Sequence, residues 1–176
     1  MAKLPPPLPS EIFENVLRIA TRNGRILLFL SGGFALLSAI GGSLDGAKVG
    51  CLAAGAGALE LHGAGLILHG EKRGVSWLVG SQILLLVIML LYCAAQILQF
   101  DAEVVRSRLT PELLAQFDAS ARVSEADLLH FVHLGYSTLY VVIAVVSVIY
   151  QGGMALFYRR SRSSIAHVLA QEFEAS

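Results

Sequence analysis

Hydrophobic positions along the chain form long runs that are apolar on every side of a helix. Four such runs, 26–44, 49–68, 77–98 and 134–158, contain few charged residues. About 20 helical residues cross the roughly 30 Å of hydrocarbon in a bilayer, and each run is close to that length. The pattern therefore predicts four transmembrane helices.

Three further segments have an amphipathic or helix-starting pattern. The segment 10–23 places apolar residues on one broad face, opposite charged residues such as Arg18, which predicts a helix lying in the membrane interface. The segment 101–132 predicts an outer helical loop, in which Thr110-Pro111 is typical of a helix start. The segment 163–173 predicts a short cytoplasmic tail helix.

These elements together predict an all-α fold in a single membrane domain, 1–176. We expect a polytopic integral membrane protein, a four-helix transmembrane bundle with peripheral amphipathic helices. Composition agrees, since 55% of the residues are hydrophobic and only 15% are charged, whereas soluble domains usually carry about 25% charged residues. The net charge is zero, so composition points to no nucleic-acid partner.

Basic residues are distributed unevenly between the two sides that four spans would create. One side holds Lys3, Arg18, Arg22, Arg25, Lys72, Arg73, Arg159, Arg160 and Arg162. The other side holds Lys48, Arg106, Arg108 and Arg122. Cytoplasmic segments carry the excess of Lys and Arg. We therefore expect both termini in the cytoplasm and the protein in the plasma (inner) membrane.

The second span carries a seam of small residues, at steps of three and four, that also contains Glu60. The seam residues are Gly46, Gly50, Ala53, Gly57, Glu60 and Ala64. Small residues at this spacing let a second helix approach closely, which is what stabilises helix pairs in lipid. We therefore expect Glu60 to face protein and not lipid.

Glu60 is predicted near the middle of the bilayer, about 15 Å from Gly70 along the helix. A charge at that depth costs at least a few kcal/mol, so we expect an unpaired Glu60 to take up a proton and be neutral. The polar centre predicted around it comprises Glu60, His62, Gln82, Ser147, Tyr150 and Gln151. Its members are hydrogen-bonding residues at comparable depth on other spans, together with His62, which lies about 200° round the same helix from Glu60.

Histidine and cysteine patterns predict no cofactor and no metal. Haem needs two axial histidines at matched depth on different helices. His62 and His69 belong to the inner half of the chain's spans, whereas His130 and His133 lie near the outer surface. Cys51 and Cys93 fall at similar depth, and the sequence leaves open whether they are bonded.

Two glycine pairs occur at similar depth in the first and fourth spans, Gly32-Gly33 and Gly152-Gly153. Paired glycines permit close packing, which is the favoured interpretation. Broken helices with freed carbonyls, as in the ion sites of some transporters, are the alternative.

Three functional hypotheses remain. The leading one is a small oligomeric channel or transporter for protons, ions or a small solute, with Glu60 at its polar centre. The alternative is a non-catalytic structural or assembly protein that packs against a partner or itself through the Gly46-Gly50-Ala53-Gly57-Glu60 seam. A membrane enzyme acting on lipid through His62 or His69 ranks last, so we expect no enzyme. The expected partners are the lipid bilayer and either further copies or another membrane protein.

Overall fold

The computed structural model describes residues 8–101, 103–104 and 125–175. Regular structure in these residues is entirely helical, and the helices are α1 (Pro9–Ile40), α2 (Leu44–Leu68), α3 (Gly74–Leu98), α4 (Glu125–Arg160) and α5 (Arg162–Ala175). Four stretches of this part of the chain are helical, long and apolar enough to cross a membrane, the fourth lying within 126–171. The prediction of an all-α chain with four such helices is confirmed.

Helix α1 differs most from the prediction. It runs without a break through the expected interfacial helix 10–23 and through most of the expected span 26–44, so the two segments form one helix. The physical reason is that Gly24, between the two segments, stays helical and is buried against α2. Helix α1 then ends at Ile40, before Gly42, whose φ of +77° is a conformation that glycine adopts without steric cost.

The other bounds differ less. Helix α2 begins at Leu44, where the Ser43 hydroxyl accepts the Gly46 N–H as an N-terminal cap. Helix α4 extends the predicted span 134–158 at both ends, and α5 covers the predicted tail helix 163–173. Most of the predicted outer loop 101–132, including Thr110-Pro111, lies outside the described residues.

Glycines bring α1 and α2 into backbone contact along the predicted seam. A Cβ atom added to Gly57 would lie 2.9 Å from the Gly24 carbonyl oxygen. A Cβ added to Gly50 would lie 2.8 Å from the backbone nitrogen of Ala35. Real Cβ atoms essentially never approach backbone so closely. The seam is therefore occupied by α1 of the same chain, in an antiparallel hairpin.

A second glycine pair joins α2 to α3. A Cβ added to Gly74 would lie 2.5 Å from the Gly63 carbonyl oxygen. The connection between the helices turns at Gly70, with φ of +81°. In that connection Glu71 accepts a hydrogen bond from Arg73, and this contact raises the pKa of the exposed Arg73 guanidinium.

Packing divides the chain into two compact units, of which the first comprises Met1–Ile88 and Ser147–Ser176. Its core gathers buried side chains from all five helices. The members are Val16 and Ala20 of α1, Ala64 and Ile67 of α2, Val75 and Leu78 of α3, Tyr158 of α4, and Ile165 and Leu169 of α5. The core therefore lies at the ends of α2 and α4 and at the beginnings of α1 and α3.

The second unit, Met89–Val146, contains the end of α3 and the first part of α4. Aromatic rings make its most specific contacts. The rings of Tyr136 and Tyr140 lie 4.8 Å apart, and Phe100 stacks on His133 at 4.4 Å. The Tyr136 hydroxyl donates to Gln96 Oε1 at 2.6 Å. His133 is thus engaged with a ring of its own unit.

Two glycine substitutions on α2 test the close contact with α1. We expect Gly57→Ala to lower the free energy of unfolding by about 1–3 kcal/mol, because the added methyl group overlaps the Gly24 carbonyl. Gly55→Ala is the matched control, since a Cβ there meets nothing within 4 Å. It should leave stability unchanged or raise it by up to about 1 kcal/mol. The measurement is unfolding of the purified protein in mixed detergent micelles, and equal effects of the two substitutions would refute the contact.

Candidate functional site

Glu60 is completely buried, with 0% of its surface exposed. Helix α2 places it on the seam one turn after Gly57, so the glycine contact with α1 also draws its side chain among helices. This is the placement that the spacing of the seam predicts.

Tyr158 of α4 is the hydrogen-bond partner of Glu60. Its hydroxyl donates to Glu60 Oε1 at 2.6 Å, and its ring is also 0% exposed. Steps of three and four along α4 place Tyr158 on one face with Gln151 and Ser147, both buried. This polar face of α4 therefore faces the interior of the first unit.

Two amides lie beside the same carboxyl. They are Asn23 of α1 and Gln82 of α3, and the Gln82 side chain is 1% exposed. Tyr150, which is 51% exposed, donates from its hydroxyl to Asn23 Oδ1 at 3.1 Å. We call Glu60, Tyr158, Gln82, Asn23 and Tyr150 the Glu60 cluster. It connects a fully buried carboxyl to a side chain at the surface.

Three buried oxygen atoms in the first unit lack a hydrogen-bond partner among the described residues. They are Glu60 Oε2, Gln82 Oε1 and Gln151 Oε1. All three are oxygen atoms that can accept hydrogen bonds. A proton on Glu60 turns its carboxyl from an acceptor into a donor, which is the change that this arrangement can accommodate. Leaving such an atom unpaired costs about 1–3 kcal/mol.

Glu60 is level with polar residues of α1, and this differs from the expected position near the middle of a span. Gly57 contacts Gly24, and Glu60 lies about 4.5 Å further toward the beginning of α1. Asn23 is beside it, whereas the apolar segment of α1 begins only at Ile26. The carboxyl therefore lies at the end of that apolar segment and not at its centre.

The structure brings together some of the residues predicted for the polar centre. Gln82 adjoins Glu60 directly, Tyr150 is connected through Asn23, and Ser147 and Gln151 share the buried face of α4. His62 is apart from them. It is exposed, and its ring meets Trp77 edge to face at 5.3 Å.

Sequence reasoning missed Tyr158 and Asn23. Tyr158 was placed at the inner end of the fourth span, too far along α4 to match Glu60 in depth. Side chains on a helix tilt toward its N-terminus, so the long tyrosine side chain reaches back to the carboxyl. That tilt is the signal that could have identified it. Asn23 stands between Arg22 and Arg25 in an amphipathic segment, which gives no sign that it faces α2.

The other residues considered as candidates for chemistry do not form a common site in the described part of the chain. No group of three or more His, Cys, Asp or Glu side chains comes together there to hold a metal ion. His69 bonds through Nδ1 to the Gly65 carbonyl at 2.8 Å. Cys51 is exposed and Cys93 is buried, and both thiols are free.

Comparison of the chain with protein-family models, curated proteins and solved structures finds no match. Function is therefore argued from the geometry of the Glu60 cluster.

Tyrosine-to-phenylalanine substitutions test the buried hydrogen bond. We expect Tyr158→Phe to lower the free energy of unfolding by about 1–3 kcal/mol, because it leaves Glu60 Oε1 buried without its donor. Tyr150→Phe removes the same atom from an exposed side chain and should cost less than about 1 kcal/mol. Unfolding in detergent micelles measures both, and equal losses would contradict a special role for Tyr158.

Proposed function

We propose that the protein is an integral membrane protein that transports protons, with Glu60 as the proton-binding group. Its four long apolar helices would span the bilayer. Large apolar side chains are exposed along them, including Phe29 at 76%, Leu91 at 67% and Ile149 at 69%. Lipid is the environment in which such a surface is stable. The distribution of basic residues supports cytoplasmic termini.

The observation that carries the proposal is the unequal environment of the two Glu60 oxygens. Oε1 accepts the Tyr158 hydroxyl, while Oε2 is buried without a partner in the described part of the chain. A buried carboxylate with no cation beside it favours its neutral form. A protonated carboxyl can donate a hydrogen bond, and the amides of Gln82 and Asn23 lie beside Glu60.

Two further features favour transport over a static packing role. The cluster reaches the exposed Tyr150 through Asn23, so hydrogen-bonding groups continue from Glu60 to the surface of the first unit. Gln151 Oε1 also lacks a donor among the described residues. Its spare acceptor is suited to a water molecule or a hydronium ion. Assembly of several copies, expected from the sequence, belongs to this proposal.

A role in assembly is the second candidate function, but with a contact surface other than the seam that the sequence predicted. The seam through Gly57 is filled by α1, so it has no room for a partner span. Gly32-Gly33 and Gly152-Gly153 instead lie in unbroken helices with open space beside them. Neither pair lies at a helix break, and neither is packed within the described residues. These open positions favour contact with another transmembrane helix.

Proton flux into liposomes tests the proposal. The purified protein is reconstituted with an internal pH-sensitive dye, and a pH gradient is imposed while potassium and valinomycin clamp the membrane potential. We expect Glu60→Gln to reduce the flux to that of protein-free liposomes, because the amide keeps the shape of the side chain but cannot carry the proton. Glu14→Gln, which alters an exposed carboxyl of α1, should retain the parental flux.

Labelling with a hydrophobic carbodiimide gives a second readout, since such reagents modify protonated carboxyls in apolar surroundings. Parent protein should gain the adduct at Glu60, and Glu60→Gln should not. Equal flux by parent and Glu60→Gln would remove Glu60 from the mechanism. No flux by the parent would exclude proton transport, and dependence of oligomer size on Gly32→Leu would then favour the assembly role.

A further inference from the structure

Helix α1 carries three arginines on the face opposite its buried side. Val16 and Ala20 enter the core of the first unit, whereas Arg18 and Arg22 lie two residues further on, about 200° round the helix. Arg25 continues the row by three residues. All three arginines are exposed, and within the described residues none of them forms an ion pair with an acidic side chain. Glu14 is the acidic residue one turn before Arg18 on this face, and it is exposed as well.

The arginines share an open groove of about 590 Å³. Its lining consists of Leu17, Arg18, Thr21, Arg22, Arg25 and Ile26. Three guanidinium groups and a hydroxyl provide donors, and two aliphatic side chains provide apolar walls. Guanidinium groups bind phosphate oxygens through paired N–H donors, which gives both affinity and orientation.

The same face becomes apolar directly after Arg25. Phe29 and Leu36 follow at helical spacing, with 76% and 67% of their surfaces exposed. Gly33 between them leaves open space, since a Cβ there would meet nothing within 4 Å. One continuous helix face therefore changes from basic to apolar. We call it the Arg18–Leu36 face.

Dimensions relate this face to a lipid leaflet. The arginine row is about 10 Å long, and the apolar segment 26–40 is about 22 Å long. Because 22 Å is shorter than the roughly 30 Å of hydrocarbon, Arg25 and Arg22 must lie at the edge of the apolar layer. Long arginine side chains at that depth extend toward the headgroups.

We propose that the Arg18–Leu36 face binds an anionic phospholipid of the cytoplasmic leaflet, with its phosphate among the three guanidinium groups and an acyl chain along Phe29 and Leu36. The face complements such a lipid in charge and in arrangement. The anionic headgroup would lie on its basic part, and the acyl chain would lie on the apolar part that follows along the helix. The inference rests on the proposed membrane insertion and orientation, and not on proton transport. Lipid bound here would fix the depth of α1, and with it the depth of Glu60.

Native mass spectrometry of the protein in detergent micelles tests this proposal, with dioctanoyl phosphatidylglycerol, dioctanoyl phosphatidylcholine and inorganic phosphate as the added ligands. We expect tight binding of phosphatidylglycerol alone. Replacing Arg18, Arg22 and Arg25 together by Gln should weaken it roughly a hundredfold, or roughly fivefold for each arginine. The matched control replaces Lys72, Arg159 and Arg162 by Gln, which removes equal charge from exposed positions elsewhere and should keep the parental affinity.

Several outcomes would overturn the proposal. They are equal weakening by the two triple variants, equal binding of phosphatidylcholine, or binding of inorganic phosphate as tight as that of the lipid. If the arginine triple variant does not fold, Arg22→Gln alone decides, and unchanged affinity would refute the site. Glu60→Gln should bind phosphatidylglycerol like the parent, so failure of proton transport and failure of lipid binding are separate results.

Discussion

Backbone contact between α1 and α2 is the constraint on which the first unit depends. Gly24 and Gly57 approach so closely that neither position has room for a Cβ atom. In lipid, where apolar side chains gain nothing by leaving their surroundings, such close approach is a principal source of attraction between helices. The contact aligns the two helices along their length, from Gly24 beside Gly57 to Ser38 beside Gly46.

Alignment of the hairpin determines where the buried Glu60 carboxyl lies. Glu60 follows Gly57 by one turn, so it lies beside Asn23 of α1. The apolar segment of α1 begins three residues after Asn23, so the carboxyl lies at the end of that segment. Tyr158 reaches it from the end of α4, next to Arg159 and Arg160. In the proposed function, this level places Glu60 near the end of the span at which Arg159 and Arg160 lie, so a proton would have a shorter path to water than from the middle of a bilayer.

The arginine row and the Glu60 cluster occupy the same stretch of α1 on different sides. Arg22 and Arg25 flank Asn23 in sequence, yet Asn23 adjoins the buried carboxyl while both arginines are exposed. Within one helix turn, α1 thus presents the Asn23 amide to the buried carboxyl and the two arginines on its exposed side. Within the described residues no cation pairs with Glu60, although Arg22 and Arg25 lie within one turn of Asn23 along α1. Exposure of the two arginines keeps them available for an anionic headgroup.

Much of the architecture was predictable from local patterns, and the partners of the site were not. Runs of apolar residues were sufficient for four long helices, because length and composition decide whether a helix can cross a bilayer. Steps of three and four along α2 were sufficient for the seam and for the burial of Glu60, since both follow from the period of one helix. Tyr158, Asn23 and the exposed position of His62 depend on which residues of different helices meet. Contacts between helices are determined by glycine packing, helix register and side-chain tilt. These are properties of packed helices, and they become defined only when the chain folds.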